Sequence, residues 1–317
     1  MKTKIDVLSI VGPTATGKTQ LALELARRLD AEIINADSMQ VYKEMRIGTN
    51  RPSPEETQGV PCHLFGFLSV REAFSVGQYV RLARELIKQI NSRGKRVILC
   101  GGSGLYIKNL LRDNTFFDNA VDLKKRKELE DIADKEGIGV LFAQLKKVDL
   151  ETSKRLHIND KKRIIRALEL YYSSGKTITG QNIMSKQIPP RYNVCTIGLN
   201  YKNRENLYNK INNRMDEMAA CGLVKEAKKI ILSECSDTAK AAIGYKELVP
   251  FLESKCSLSE ALEKIKIKTR HYAKRQLTWF LKDNSIFWIN IDECRDFSEI
   301  ISKAQNFAKS QNSLKYI

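Results

Sequence analysis

The chain has 317 residues, of which 42% are hydrophobic, and this share excludes a disordered protein because it suffices for a sizeable core. No run of about 18 apolar residues exists to span a membrane, and seven scattered cysteines without a Cys-x-x-Cys pair are typical of reduced thiols rather than of zinc ligands. The formal net charge of +17 predicts either a polyanionic partner or merely a surplus of surface lysine. We expect a soluble cytoplasmic protein that does not contact a membrane.

Apolar, β-branched runs alternate with amphipathic helical patterns along most of the chain. The predicted strands are residues 5–11, 31–36, 97–100, 194–199 and 286–291, and the clearest early helices are residues 20–29 and 74–91. This alternation predicts an α/β fold, with a doubly wound parallel sheet and helices on both of its faces.

Residues 114–186 interrupt this alternation, because they contain no convincing strand and consist of charged amphipathic patterns. The sequence therefore predicts a core domain made of residues 1–113 and 187–317. A small, all-helical domain of residues 114–186 is inserted into it.

A phosphate-loop motif, Gly-x-x-x-x-Gly-Lys-Thr, occupies residues 12–19 between the first predicted strand and the first helix. Glycines let the backbone wrap around phosphates, and the helix N-terminus adds a positive end. Lys18 is expected to reach the terminal phosphate, and the Thr19 hydroxyl to bind Mg²⁺. Phosphate binding is the strongest prediction that these residues allow.

Two further loops follow predicted strands at the same edge of the sheet. Asp37 could bind a metal through water or accept a proton from a nucleophile, but Asp37 and Ser38 could equally begin a helix as its cap. Residues 101–104, Gly-Gly-Ser-Gly, could approach a ligand closely or form an ordinary tight turn. The residue pattern leaves both pairs of alternatives open.

Basic residues concentrate in two predicted helices. Residues 264–282 contain seven Lys and Arg and no acid, whereas a solvated helix normally mixes both signs. The apolar spacing there predicts a buried face made of Leu258, Leu262, Ile265, Thr269, Tyr272 and either Gln276 or Trp279. A second cluster, Lys161 to Arg166, lies in the helical insertion. Basic faces on both sides of one phosphate loop favour a nucleic-acid substrate.

Eight sequence blocks, in this order, resemble the tRNA dimethylallyltransferase family over nearly the whole chain. They are GPTATGKT from Gly12, ADSMQVYKEMRIGTNRP from Ala36, VPCHL from Val60, GGSGLYIKNLL from Gly101, RLHINDKKRIIRALELY from Arg155, RMDEM from Arg214, AIGYKEL from Ala242 and TRHYAKRQLTWF from Thr269. The resemblance implies a fold like that of phosphate-loop nucleoside-triphosphate hydrolases. It also implies transfer of a dimethylallyl group from dimethylallyl diphosphate to the exocyclic amine of the adenosine 3′-adjacent to the anticodon.

The resemblance also assigns roles to particular residues. Asp37 corresponds to the general base, Thr19 to the Mg²⁺ neighbour, and Lys18 and Arg214 to groups that stabilise the diphosphate. Without the resemblance, the spacing around Arg214 predicts a surface arginine at the border of an apolar stripe. The diphosphate loop is Gly12, Pro13, Thr14, Ala15, Thr16, Gly17, Lys18 and Thr19.

Further positions match tRNA-contacting segments, and the anticodon stem-loop is the part of tRNA expected to bind. They are Asp37, Ser38, Met39, Gln40, Ser103, Lys162, Arg163, Arg166, Lys268, Arg270, Lys274 and Arg275. One departure is visible, since the paired histidines that the family has after Val-Pro are Cys62 and His63 here.

Two other functions fit part of the pattern. A small-molecule or nucleoside kinase explains the phosphate loop and Asp37 but gives the basic helices no role. A nucleic-acid-binding ATPase explains the basic helices, although no strand ends in a clear acidic pair. The loop by itself does not distinguish an allylic diphosphate from ATP. We expect the protein to act as a monomer.

Overall fold

The structure is a computed structural model that describes residues 7–111 and 123–311. The chain forms two compact units, one of Met1–Leu111 with Tyr192–Ile317 and one of Arg112–Arg191. We call them the sheet unit and the helical unit. The predicted boundary between residues 113 and 114 lies outside the described residues. The predicted boundary after residue 186 falls within a helix, and the division between the units comes a few residues later.

Six parallel strands, counted over the described residues, form the sheet of the sheet unit. They are β1 (Val7–Val11), β2 (Ala31–Asn35), β3 (Cys62–His63), β4 (Arg96–Cys100), β5 (Val194–Asn200) and β6 (Phe287–Asn290). Their order is β3-β2-β4-β1-β5-β6, and every pairing is parallel. The predicted parallel α/β fold is confirmed. Strand β3 was missed because two residues carry no readable pattern.

The central strand β1 lies between β4 and β5, so the chain leaves it in one direction and later returns on its other side. At such a reversal the loops after neighbouring strands diverge and leave a crevice at the carboxyl edge of the sheet. The phosphate-loop motif, Asp37 and the Gly-Gly-Ser-Gly segment follow β1, β2 and β4, so all three reach this edge.

Helices cover both faces of the sheet. They are α1 (Lys18–Leu29), α2 (Pro54–Thr57), α3 (Val76–Ser92), α4 (Gly104–Leu111), α10 (Arg204–Ala220), α11 (Leu223–Ile231), α12 (Asp237–Lys240), α13 (Val249–Leu252), α14 (Leu258–Phe280) and α15 (Phe297–Ser310), with short 3₁₀ helices at Lys246–Leu248 and Ile291–Glu293. Alternate strand residues serve the two faces, as a pleated strand requires. Leu8 and Ile10 pack with α1 and α15, whereas Val7 and Val11 pack with α3 and α14.

The buried face of α14 agrees with the predicted one at Ile265 and Gln276, and Leu258 and Leu262 are partly buried against the same core. Its buried residues are Ala261, Ile265, Ala273, Gln276 and Phe280. Trp279 is 41% exposed, so the prediction that it could complete the buried face is wrong and Gln276 takes that place. The sequence pattern favoured large apolar residues, whereas alanines at two buried positions give α14 a narrow face that packs closely.

The helical unit contains α5 (Leu123–Lys135), α6 (Ile138–Val148), α7 (Leu150–Arg155), α8 (Lys161–Ser174) and α9 (Ile178–Gln187). Its own small core is built around Leu129, Leu141, Leu145, Ile164 and Leu168. No strand occurs among its described residues. Across the described ranges of both units, no helix is long and apolar enough to cross a membrane.

Candidate active site

The phosphate-loop motif joins β1 to α1, which is the context that this motif requires. Gly12 has a φ of +136°, and a Cβ there would lie 2.3 Å from the carbonyl oxygen of Leu199 in β5, so only glycine fits. Gly17 has a φ of +75° and immediately precedes α1, which begins at Lys18. The loop thus places a helix N-terminus at the carboxyl edge of the sheet, where it favours an anion.

Lys18 is a partly desolvated amine within this loop. Its Nζ donates a hydrogen bond to the carbonyl oxygen of Pro13 at 2.5 Å. Burial lowers the pKa of Lys18 to about 8, although Cys100 and Asp37 act in the opposite direction. An anion placed beside Lys18 would favour the charged form, so phosphate binding and protonation of this amine are coupled.

Asp37 lies just after β2, in a turn rather than at the start of a helix. Its backbone N–H donates to Asn35 Oδ1 at 2.8 Å, and its Oδ1 accepts the backbone N–H of Met39 at 2.9 Å. The described chain between β2 and α2 contains no helix, so the helix-cap alternative is wrong. One carboxylate oxygen holds the turn, and Oδ2 accepts no hydrogen bond from the described residues.

The Gly-Gly-Ser-Gly segment packs directly against the segment that contains Asp37. A Cβ on Gly101 would lie 2.2 Å from the backbone of Ala36, so this close approach requires glycine. Ser103 Oγ accepts the backbone N–H of Ser38 at 2.9 Å, and the two hydroxyls lie 3.2 Å apart. The loop after β4 is therefore part of the site and fixes the position of Ser38.

Arg214 points into the site from α10, which the apolar spacing alone did not indicate. Its guanidinium donates to Thr14 Oγ1 of the phosphate loop at 3.2 Å. Burial lowers the pKa of Arg214 to about 10, while Asp37 and Glu217 favour its charged form. Its buried Nε has no hydrogen-bond partner among the described residues. An arginine held in this way is a strong anion-binding group.

Two cavities of different character meet at these residues. The polar cavity, of about 740 Å³, contains Lys18 and Thr19 together with Arg27 and Arg28. The apolar cavity, of about 260 Å³, is lined by apolar side chains of α10 and α14, and also by the exposed residues Lys246 and Arg275. Five residues line both cavities, namely Thr14, Ala15, Asp37, Thr49 and Arg214. We call these five the shared wall.

The remaining residues of the segment after β2 are divided between the cavities. Ser38 and Met39 line the apolar cavity, and Gln40 lines the polar one. Gln40 Nε2 donates to the carbonyl oxygen of Thr49 at 2.9 Å, which fixes this member of the shared wall. Within residues 37–40, only Asp37 therefore lines both cavities.

The basic residues of α14 do not share one environment. Lys268 and Lys274 are exposed, and Arg275 is exposed and also lines the apolar cavity. Arg270 is partly buried, pairs with Glu263 at 3.1 Å and donates to Asn212 at 2.9 Å. The exposed end of the basic face therefore adjoins the apolar cavity.

The basic cluster on α8, described within the helical unit, is largely balanced by acids. Arg166 and Arg126 both donate to the buried Glu169, at 2.8 Å and 2.7 Å. Arg163 lies 3.6 Å from Asp160, whereas Lys162 is exposed without an ion pair to the described residues. Arg166 thus has a structural partner within its own unit.

The residues present fit a magnesium ion that is shared with a phosphate, and not a closed metal centre. The described residues contain no group of three or more His, Cys, Asp or Glu that could hold a metal. Thr19 and Asp37 both line the polar cavity, and their oxygens are the hard ligands that Mg²⁺ prefers. Magnesium commonly takes one or two such ligands together with substrate phosphates.

The Cys62–His63 departure lies away from both cavities of the described sheet unit. His63 Nε2 lies 2.6 Å from Glu32 Oε2, and Arg93 binds the same carboxylate at 2.7 Å. Cys62 packs beside the core on the α1 face, and burial raises the pKa of its thiol to about 11. Neither residue is placed to take part in chemistry at the shared wall.

Three contributors to the site were missed by reasoning from the sequence. Tyr272 lines the apolar cavity, and burial raises the pKa of its hydroxyl. Glu226 accepts three consecutive backbone N–H groups, from residues 46 to 48, at 2.8–3.0 Å, and so anchors the loop that leads to Thr49. Gln276 joins α14 to the phosphate loop. The only sequence signal for these residues was their membership in the family-like blocks or their position on a helix face.

These features define an α/β phosphate-loop protein in which a second, apolar cavity adjoins the phosphate site. The profile of the IPP transferase family matches residues 40–283. A tRNA dimethylallyltransferase from Caldanaerobacter subterraneus subsp. tengcongensis is 44% identical over 299 residues, which cover 93% of this chain and 95% of that protein. One from Acetivibrio thermocellus is 43% identical and covers 95% of this chain and 97% of its own length. The chain belongs to the IPP transferase family.

Solved structures agree with this assignment. The tRNA isopentenylpyrophosphate transferase of Bacillus halodurans aligns with a TM-score of 0.72 at 38% identity, covering 97% of both chains. A eukaryotic dimethylallyltransferase, solved acting on tRNA, aligns with a TM-score of 0.81 at 28% identity, covering 98% of this chain and 80% of its own. The resemblance to the family predicted from the sequence blocks is confirmed.

Proposed function

We propose that the protein transfers a dimethylallyl group from dimethylallyl diphosphate to N6 of the adenosine 3′-adjacent to the anticodon of tRNA, giving N6-(dimethylallyl)adenosine. The observation that carries this proposal is the shared wall, where a basic polar cavity meets an apolar one. Relatives that are named tRNA dimethylallyltransferases, and a structural neighbour that acts on tRNA, support it. We place the activity in the cytoplasm, where tRNA is found.

The diphosphate belongs in the polar cavity. The phosphate loop offers backbone N–H groups and the N-terminus of α1, and Lys18 adds a positive charge. Arg214 reaches the same place from α10 through Thr14. We assign Mg²⁺ to the Thr19 hydroxyl, with Asp37 as the neighbouring carboxylate, where the ion when bound would neutralise charge on the diphosphate.

The reaction is a displacement at an allylic carbon. The carbon–oxygen bond to the diphosphate breaks, and its electron pair leaves with the diphosphate, which Lys18 and Arg214 stabilise. A carbon–nitrogen bond forms at N6 of adenine. Asp37 Oδ2, free of the turn hydrogen bond, takes the proton from that amine. The apolar cavity excludes water, which would otherwise compete for the allylic carbon.

The adenine must leave the anticodon loop to reach Asp37, because a stacked base cannot enter the apolar cavity. Lys268, Lys274 and Arg275 are exposed on α14, and Arg275 also lines that cavity. We assign them, with Arg270, to phosphates of the anticodon stem-loop. Further assigned tRNA contacts are Asp37, Ser38, Met39, Gln40, Ser103, Lys162, Arg163 and Arg166. Since residues of one chain line both cavities, a monomer suffices.

The test is to incubate the protein with tRNA and dimethylallyl diphosphate that is labelled in the dimethylallyl group, and in parallel with tRNA and labelled ATP. We expect label to pass from the diphosphate into tRNA and the product adenosine to appear in a nucleoside digest. Replacing the target adenosine with guanosine, which has no N6 amine, is the matched control. Phosphate release from ATP without transfer of the dimethylallyl label would instead establish the kinase or ATPase alternative.

A further inference from the structure

Gln276 is a buried polar residue that bonds two loops far from it in the chain. It is 5% exposed and lies on α14, one position after Arg275. Its Oε1 accepts the backbone N–H of Thr14 in the phosphate loop at 2.9 Å. Its Nε2 donates to the carbonyl oxygen of Gly102, in the loop after β4, at 3.0 Å. One side chain therefore fastens α14 to the loops that follow two neighbouring strands.

The surroundings are built around this side chain. A Cβ on Gly102 would lie 2.1 Å from Gln276 Nε2, so the bridge requires glycine at that position. The site also demands one acceptor and one donor at the end of a long side chain, and an uncharged carboxamide supplies both at once. A methionine of similar size would fill the space and leave the N–H of Thr14 and the carbonyl of Gly102 unpaired.

We infer that Gln276 is a positioning residue for diphosphate use, and this inference rests on the proposed function. Thr14 is a member of the shared wall, and its hydroxyl accepts the hydrogen bond from Arg214. By holding the N–H of Thr14, Gln276 fixes the peptide unit from which that hydroxyl projects. It thereby holds Arg214 and the phosphate loop in a fixed relative position. Gln276 also lines the polar cavity, but its uncharged carboxamide supplies neither charge nor a proton to the reaction.

The first test compares Gln276→Met with the wild type. We expect kcat to fall by about ten- to a hundredfold, since a displacement of about 1 Å in a positioned group has effects of that size. The inhibition constant of inorganic pyrophosphate should rise, while the tRNA dissociation constant stays within about twofold of wild type. Thr278→Ala is the matched control on the same helix, because its exposed hydroxyl bonds, among the described residues, only to the carbonyl oxygen of Lys274. We expect it to behave as wild type.

The second test uses Gln276→Glu. Its carboxyl group can accept the N–H of Thr14 in either form, but only the protonated acid can donate to the carbonyl oxygen of Gly102. The ratio of its kcat to that of the wild type should therefore rise as pH falls. The other ionisable groups around these cavities, Lys18, Asp37, Arg214 and Tyr272, are present in both proteins, so taking the ratio compensates for them. This measurement stands even where the methionine variant does not fold.

The outcomes separate the inference from the proposed function. Wild-type kcat and pyrophosphate binding in the methionine variant, or a pH-independent ratio in the glutamate variant, would overturn the role of Gln276 while leaving the transferase intact. A wild-type protein that transfers no dimethylallyl group would overturn the proposed function. The pyrophosphate comparison would then still decide whether Gln276 positions the phosphate loop.

Discussion

The two cavities of the sheet unit differ in the chemistry they can support, although they lie side by side. The polar cavity is lined by four basic side chains and three acidic ones and adjoins a helix N-terminus, where Lys18 and Arg214 suit the charge of a leaving diphosphate. The apolar cavity suits a hydrocarbon and a flat base, with Met215 and Met218 among its lining residues. Only the shared wall touches both. Substitutions there should therefore affect the reaction itself, and substitutions farther out should affect one substrate at a time.

The largest effect is expected at Asp37. Asp37→Asn keeps an oxygen to accept the N–H of Met39, so the turn should survive, but the amide is a poor base. We expect the single-turnover rate to fall by about 10²–10⁴-fold with tRNA affinity nearly unchanged. Quench-flow with labelled dimethylallyl diphosphate measures this rate. A variant that keeps more than about a third of wild-type turnover contradicts the role of Asp37 as the base.

Arg214 should come next, because it contacts the phosphate loop across the shared wall. Arg214→Gln should lower kcat by about 10²–10³-fold, because it removes the positive charge that stabilises the leaving diphosphate. Arg214→Lys is the matched control, since it keeps the charge but loses the planar donor group, and we expect it to recover part of the rate. Steady-state kinetics with both substrates measures the effect. Equal rates for the two variants would show that charge at this position does not matter.

The residues differ in how well their roles could be predicted from the sequence. The phosphate loop was predictable because motif, strand and helix are contiguous, so the local pattern determines the geometry. Asp37 was placed by the rule that ligands bind at the carboxyl edge of a parallel sheet, although its turn was left undecided. The order of the strands could not be predicted, because short apolar runs carry no information on which strands pair with each other.

Contacts made at long range in the chain were beyond such reasoning. Thr14 and Gln276 are 262 residues apart, and Thr14 and Arg214 are 200 apart. Which face of α10 or α14 turns inward depends on how each helix packs, and small buried alanines weaken the apolar pattern. The same limit applies to acids that balance a basic cluster, such as the buried Glu169 that holds Arg166.

A third prediction concerns Lys18 and is confined to the polar cavity. Its pKa is lowered to about 8, so the amine loses its positive charge as pH rises through that value in the free protein. Because diphosphate binding favours the charged amine, kcat/KM for dimethylallyl diphosphate should fall above pH 8, approaching tenfold per pH unit. The tRNA dissociation constant should not follow this profile. Lys18→Arg, which stays charged, should remove the decline, and a flat wild-type profile from about pH 7 to 9.5 would contradict the prediction.

The smallest effect tests whether the basic residues beside the two cavities bind different substrates. Lys274→Ala/Arg275→Ala removes two charges beside the apolar cavity, and Arg27→Ala/Arg28→Ala removes two that line the polar one. If RNA phosphates bind beside the apolar cavity, only the Lys274→Ala/Arg275→Ala variant should make tRNA affinity less dependent on salt. Each lost contact should lower the log–log slope by about 0.7–0.9, since fewer counterions are released.

The Arg27→Ala/Arg28→Ala variant should instead raise KM for the diphosphate. The increase should be modest, because both arginines already pair with Glu24, at 3.1 Å and 2.7 Å. Binding isotherms at several salt concentrations measure both slopes. Parallel plots of log affinity against log salt concentration for wild type and the α14 variant would mean that this helix is merely solvated. Equal slope changes in both variants would mean that RNA phosphates bind beside both cavities.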